Sequence, residues 1–182
     1  MFRGREIDLA PPWRRIKLVD ALAENGVWSR DADELRRRLE ERQVDTSQDA
    51  SWAQLVDHAL SHFVEPELVQ PTMLYDYPVE LSPFARATDD PSIVERFEYY
   101  VGGIELGNAF TELNDPDEQA ARFAQQATEA GGERGDPDYV EALSYGMPPT
   151  GGIGLGIDRL AMVLTGRETI RDVVLFPLLR PN

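Results

Sequence analysis

The chain has 182 residues, 42% of them hydrophobic, enough for one substantial domain with its own core. Eighteen Lys and Arg against 33 Asp and Glu leave a net charge of −15, which argues against a nonspecific nucleic-acid surface of clustered cations. No apolar run approaches the roughly 20 residues of a membrane span. Met1-Phe2-Arg3-Gly4-Arg5-Glu6 lacks a signal-peptide core, and the absence of cysteine excludes disulfides and thiolate metal sites; both predict a cytoplasmic location.

In chain order, Pro11-Pro12 precedes a predicted helix over Trp13–Leu22, ended by Asn25-Gly26. Residues 31–43 are charged with few apolar positions and predict an exposed helix. Ser51 to Val64 carries Leu55, Leu60 and Phe63 at near-helical spacing. His58 and His62 sit four apart there, but with no adjacent glutamate and no nearby third ligand they fit an ordinary helix surface better than a zinc site. Pro71 to Tyr77 predicts a strand and Pro78 to Pro91 an irregular loop. Val94–Val101 and Ile104–Leu113, joined by Gly102-Gly103, predict a β-hairpin. Asp115 to Ala130 predicts a helix capped by Asn114 or Asp115. A polar loop over Gly131–Asp136, a short helix over Pro137–Leu143, a glycine-rich strand, a helix over Asp158–Leu164 and a last strand over Val173–Phe176 complete the chain. No repeat and no long linker divides it.

The glycine-rich strand is Gly151-Gly152-Ile153-Gly154-Leu155-Gly156-Ile157. Strand alternation puts Gly152, Gly154 and Gly156 on one face and Ile153, Leu155 and Ile157 on the other, which is expected to pack into the core. A face without side chains marks the close approach of a ligand or of another backbone. Arg159 follows where a helix is expected to begin, a good place for a cation facing a polyphosphate. The third glycine of a dinucleotide fingerprint is replaced by Arg159, and no Gly-Lys-Ser or Gly-Lys-Thr of a P-loop occurs. A flat ring on a bare strand and a plain buried glycine strand both remain open.

A two-residue turn at Gly102-Gly103 pairs Glu98 with Gly107 and Tyr100 with Glu105, making Glu98 and Glu105 diagonal neighbours. Two such carboxylates repel unless a cation lies between them, and Mg2+ takes oxygen ligands of this kind, completed by phosphates and water. The alternative is two solvated glutamates on an exposed hairpin. Asn108, Phe110 and Glu112 form a second alternating set, with the chemistry for a cationic amino-acid side chain: Glu112 for an ammonium, Asn108 for hydrogen bonds, Phe110 for methylenes. For both sets to line one pocket the strand must slip by one residue, and Gly107 is the expected place.

Taken together, Arg96-Phe97-Glu98, Glu105 through Leu113, Gly146 through Arg159 and Arg171 through Pro177 resemble a class II lysyl-tRNA synthetase, as do Pro71-Thr72 and Pro78 through Pro83. The glycine strand with Arg159 is similar to the third class II signature motif. The resemblance implies an α+β fold, an antiparallel β-sheet flanked by helices. Residues 1–182 would then form a single partial catalytic domain, helical over 1–70, with the sheet and active-site part over 71–182. It further implies that Glu98 and Glu105 hold Mg2+ and ATP and that Gly152, Gly154, Gly156 and Arg159 also bind ATP. Arg159, Glu98 and Glu105 would serve catalysis, and Asn108, Phe110 and Glu112 would contact lysine. The implied partners are lysine, ATP and tRNA, with a homo-oligomer or a complementing synthetase chain also expected. The first and second signature motifs and the anticodon-binding barrel of the family have no counterpart in these residues; Phe2 through Glu6 only echoes the second. A non-catalytic lysine- or nucleotide-binding paralogue, a subunit of a split enzyme, and a protein-lysine ligase acting on a translation factor are the alternatives.

Overall fold

A computed structural model describes residues 1–49, 51–130 and 135–177. It is built on one five-stranded sheet in the order β1-β2-β3-β4-β5: β1 Arg14–Lys17, β2 Thr72–Pro78, β3 Ile93–Val101, β4 Ile104–Thr111 and β5 Gly151–Leu155. β1 runs parallel to β2, and every other neighbouring pair is antiparallel. The fold is therefore α+β, with a sheet that is mostly antiparallel.

The β3–β4 hairpin turns at Gly102 and Gly103, which take φ of 64° and 73°. That left-handed pair suits a tight hairpin and is open to glycine at little cost. The turn is anchored, since the amides of Gly102 and Gly103 donate to the carbonyls of Val69 and Leu68 at 2.8 and 3.0 Å. A side chain at Gly102 would also strike the Phe2 ring.

Helices α1 (Leu18–Glu24), α2 (Ala32–Glu41) and α3 (Trp52–Ala59) cover one face of the sheet. Leu18, Leu22, Leu35, Leu39, Leu55 and Leu74 are fully buried in this larger core. The ends of α2 and α3 are set by sequence: Asp31 and Ser51 cap them, and Ser51 with Gln54 forms a capping box. One π-type turn, Leu60–Val64, continues α3. The opposite face carries a smaller cluster of Phe2, Tyr99, Val101 and Leu106 under α6 (Ile157–Thr165). α4 (Pro116–Ala130) and α5 (Pro137–Ser144) lie between β4 and β5 in sequence; Asp115 caps α4, accepting from Asp117 and Glu118.

Three expectations are corrected. Arg14–Lys17, expected inside a helix, is a strand because its backbone pairs with Thr72–Tyr75, and the helix begins only at Leu18. Residues 31–43 are not exposed throughout, since Leu35 and Leu39 form the buried stripe of an amphipathic helix. Val173–Phe176 forms no strand; a short helical turn, Ile170–Asp172, precedes it, and Leu175 and Phe176 are exposed. Of the expected polar loop over 131–136, residues 131–134 lie outside the described residues.

Candidate functional site

The hairpin register shows how one sheet face collects the chemistry. Tyr100 pairs with Glu105, as expected, but Glu98 pairs with Asn108 and Tyr99 with Gly107. The expected pairing of Glu98 with Gly107 is therefore displaced by one residue. The extra residue on β4 is Leu106, immediately before the glycine expected to mark the slip. Leu106 turns into the smaller core. The slip puts Glu105, Asn108 and Phe110 in line with Tyr100, Glu98 and Arg96. Gly107 must stay bare: a Cβ there would lie 2.0 Å from the Gly154 carbonyl oxygen and 2.4 Å from the Tyr99 hydroxyl.

Glu98 and Glu105 line a common cavity of about 490 Å3, together with Asp57, Glu65, Tyr77 and Arg96. Glu98 is 7% exposed and held from three sides. Its Oε2 accepts from the Tyr77 hydroxyl at 2.8 Å and the Tyr100 hydroxyl at 2.5 Å. Its Oε1 accepts from Arg96 Nη2 at 2.5 Å. Arg96 Nη1 donates to the Leu81 carbonyl at 2.7 Å and the Ser82 hydroxyl at 2.6 Å, so one guanidinium ties the loop after β2 to Glu98. Partial desolvation at the cavity wall pushes the carboxyls of exposed Asp57 and half-buried Glu65 up, and the charge of Glu98 adds to the shift in both. Burial also raises the Tyr77 and Tyr100 hydroxyls, which therefore stay protonated as donors.

Glu105 is the bridge to a second cavity of about 380 Å3, lined by Asn108, Gly154, Gly156, Asp158 and Arg159. Arg159 stands in the first turn of α6 and donates from Nη1 to the Glu105 carbonyl at 2.9 Å and to its carboxylate at 3.2 Å. Gly154 faces Asn108 across the sheet, and open space lies over it: a Cβ would reach only ordinary contact with Asn108 Oδ1 at 3.8 Å. Gly156 is the N-cap of α6 and not part of the strand.

Gly152 has another cause. A Cβ there would lie 2.2 Å from Glu112 Oε1, so this glycine makes room for a carboxylate and not for a flat ring. Glu112 is half-buried between the segment at Ala85 and Thr150, and burial raises its carboxyl. Phe110 packs partly against the larger core. Neither Phe110 nor Glu112 is among the lining residues of the two cavities, so the expected lysine set is divided: Asn108 lies beside Glu105, and Glu112 lies toward the other end of β5. Ile153, Leu155 and Ile157, expected in the core, are 75%, 47% and 66% exposed.

Among the described residues no group of three or more His, Asp or Glu could hold a metal unaided. His58 Nδ1 lies 2.9 Å from Asp49 Oδ2, and His62 Nδ1 lies 2.9 Å from the His58 carbonyl oxygen. Glu98 and Glu105 nevertheless fit a divalent cation in part. Glu98 Oε1 has one protein donor and keeps an acceptor direction, Glu105 is only partly covered, and phosphate and water would supply the remaining ligands. Arg96, Tyr77 and Tyr100 had no role in the sequence-based expectation. The period-two spacing of Arg96, Glu98 and Tyr100 carried that signal for two of them.

The sequence profile of tRNA synthetases class II (D, K and N) matches residues 2–180. The chain is 50% identical over 189 residues to a lysine–tRNA ligase of Chloroflexus aurantiacus, covering 98% of this chain and 38% of that protein. It is 45% identical over 193 residues to a lysine–tRNA ligase of Pelotomaculum thermopropionicum, covering 100% and 38%. For a lysine–tRNA ligase of Xanthomonas oryzae pv. oryzae the identity is 46% over 190 residues, covering 98% and 38%. The chain thus spans about 38% of the length of each of these relatives. A sheet face that gathers carboxylates, an amide and an arginine beside a glycine strand agrees with that match, and the chain belongs to the class II tRNA synthetases of the D, K and N group.

Proposed function

We propose that this chain is the C-terminal part of a lysine–tRNA ligase catalytic domain, which activates lysine with ATP and passes it to tRNA. The observation that carries it is the slip at Leu106, which puts Glu105 and Asn108 on the face of Glu98 beside Gly154 and Arg159. The names of the relatives, lysine–tRNA ligase in each case, support lysine as the amino acid.

In this reading ATP lies along the cavity of Glu105, Gly154 and Arg159, with Gly156 at its edge. Arg159 releases Glu105 to meet phosphate. Mg2+ held by Glu98 and Glu105 supplies charge neutralisation on the phosphates when bound. Asn108 hydrogen-bonds lysine, Glu112 pairs with its ammonium in the space that Gly152 leaves, and Phe110 packs on its methylenes. The lysine carboxylate oxygen bonds to the α-phosphorus as the bond to the pyrophosphate oxygen breaks, giving lysyl-adenylate and pyrophosphate. The terminal ribose hydroxyl of tRNA then takes the lysyl group and AMP leaves. No protein nucleophile is needed, and preorganised charge carries the rate. The setting is the cytoplasm; no described helix is long and apolar enough to cross a membrane.

A second reading, a lysine- and ATP-binding subunit that works with a complementing synthetase chain or as a homo-oligomer, is favoured by one observation. The arginines lining the two cavities, Arg96 and Arg159, both already face glutamates. Lysine-dependent ATP–pyrophosphate exchange, by the chain alone and with a candidate partner, tests both. Exchange by the chain alone favours the ligase, exchange only in the mixture favours the subunit, and lysine binding without exchange in any combination removes the enzyme readings. A calorimetric titration of lysine into wild type and Glu112→Ala checks the pocket: equal affinities would remove Glu112 from it.

A further inference from the structure

We infer that Tyr77 and Tyr100 are positioning residues for the Glu98 carboxylate, fixing its Oε2 so that Oε1 alone faces an incoming cation. The inference rests on the proposed role of Glu98 in holding the metal and deepens it.

Both hydroxyls donate to the same oxygen, Tyr77 at 2.8 Å and Tyr100 at 2.5 Å. A carboxylate oxygen has about two lone-pair directions, so Oε2 is saturated. Oε1 has one protein donor, Arg96 at 2.5 Å. The two oxygens are therefore inequivalent, and the carboxylate cannot turn without breaking two buried hydrogen bonds.

The chain goes out of its way to bring Tyr77 here. Regular alternation along β2 would put Tyr77 on the opposite face from Leu74, which pairs with Glu98. The β2–β3 register breaks between Tyr75 and Tyr77, and Asp76 takes φ 60°. That left-handed conformation is uncommon for a residue with a side chain. Lys17 anchors Asp76 by an ion pair of 2.9 Å. Beyond the break Tyr77 pairs with Val94, on the side of Arg96 and Glu98. Arg96 then stacks over the Tyr77 ring, 4.8 Å from its centroid, and closes the circle. Tyr77 and Tyr100 are both almost wholly buried. A buried phenol without a partner costs stability, and both find the same one, at the wall of the acidic cavity.

Groups that orient a ligating carboxylate typically contribute tenfold or more to metal affinity. The test is Mn2+ binding in the presence of ATP, read by water-proton relaxation on wild type, Tyr77→Phe, Tyr100→Phe, the double variant and Glu98→Gln. Each single tyrosine variant is expected to weaken Mn2+ by about tenfold, and Glu98→Gln by more. Thermal midpoints and circular dichroism, measured on the same samples, report the fold; the single variants decide the matter if the double does not fold. Lower midpoints with Mn2+ affinity at the wild-type level would mean that the phenols only fill the core, and would overturn the inference. Tighter Mn2+ binding in either tyrosine variant would overturn it as well. Loss with the tyrosine variants but none with Glu98→Gln, or no Mn2+ binding by wild type, overturns the reading of Glu98 itself.

Discussion

The two faces of the sheet are finished to different degrees. Under α1, α2 and α3, leucines from three helices and from β2 are fully buried. Across the sheet, the cluster under α6 is small, and β5 ends the sheet with Ile153 and Leu155 exposed. The candidate site opens on the closed side, where Glu98 is buried, and runs out along β4 to the open end at β5. Rigidity and access are therefore separated along one strand pair: the carboxylate that must be held is inside, and the glycines that need space are at the rim.

The contrast is most exposed to test by core truncation. Leu39→Ala or Leu22→Ala, each in the closed core, is expected to cost about 2–5 kcal/mol, measured by urea unfolding. A loss below about 1 kcal/mol would mean that the helical face is much looser than its burial indicates. The expected loss of about 2–5 kcal/mol is a large fraction of the stability of an ordinary domain.

Gly152→Ala attacks the rim. The added methyl meets Glu112 Oε1 at 2.2 Å, so the carboxylate must move. Lysine affinity, measured by calorimetry, is expected to fall about tenfold, in keeping with the loss of a charge-assisted contact. Gly154→Ala has room and is the matched control for lysine, though it fills space in the cavity assigned to ATP. Because burial raises the Glu112 carboxyl, the charge that attracts an ammonium is lost as pH falls through that raised value. Wild-type lysine affinity is expected to drop on acidification above the ordinary glutamate range, and a Glu112→Gln variant to be flat there.

How much of this division could be read in the sequence depends on how local its causes are. The hairpin was legible because Gly102 and Gly103 must both take positive φ. The slip was legible because two alternating sets, Glu98 with Glu105 and Asn108 with Phe110, share a face only if β4 gains a residue. β1 was not legible: Arg14-Arg15-Ile16-Lys17 has no strand pattern of its own and is extended because β2 lies beside it. Val173–Phe176 fails in reverse, having strand composition but pairing with no strand of the described sheet. The cause of Gly152 lies forty residues back in sequence, at Glu112, and the Asp76 kink goes with a register break against β3; no local pattern contains either.

A smaller effect separates the wall of the acidic cavity from the rest of the closed face. Asp57 is exposed at the cavity mouth, but partial desolvation by the wall around it raises its carboxyl, and the charge of Glu98 adds to the shift. The folded state therefore holds its proton to higher pH than the unfolded chain does. With more protons bound in the native state, stability falls as pH rises, from roughly pH 4, where an unfolded aspartate titrates, up to the raised folded value. Asp57→Asn removes this contribution. The urea midpoint of wild type is expected to decline relative to Asp57→Asn across that window and to run parallel to it above. A wild-type curve that rises relative to the variant would reverse the sign and place Asp57 in a favourable ionic contact instead.

The smallest effect on stability is expected at the open end. Ile153 is 75% exposed and Leu155 47%, so Ile153→Ser with Leu155→Ser removes little buried area and is expected to change the unfolding free energy by less than about 0.5 kcal/mol per site. Among the described residues β5 is nonetheless a sheet edge with no further strand on it, beside apolar side chains, the combination that recruits another chain. Wild type is therefore expected to associate with rising concentration in sedimentation or light scattering, and the double serine variant to associate less at unchanged stability. If the variant loses several kcal/mol instead, these side chains are buried within the chain in solution and the two faces are equally closed. If wild type stays monomeric at high concentration, the exposed apolar surface at β5 does not recruit a second chain, and the prediction of association fails.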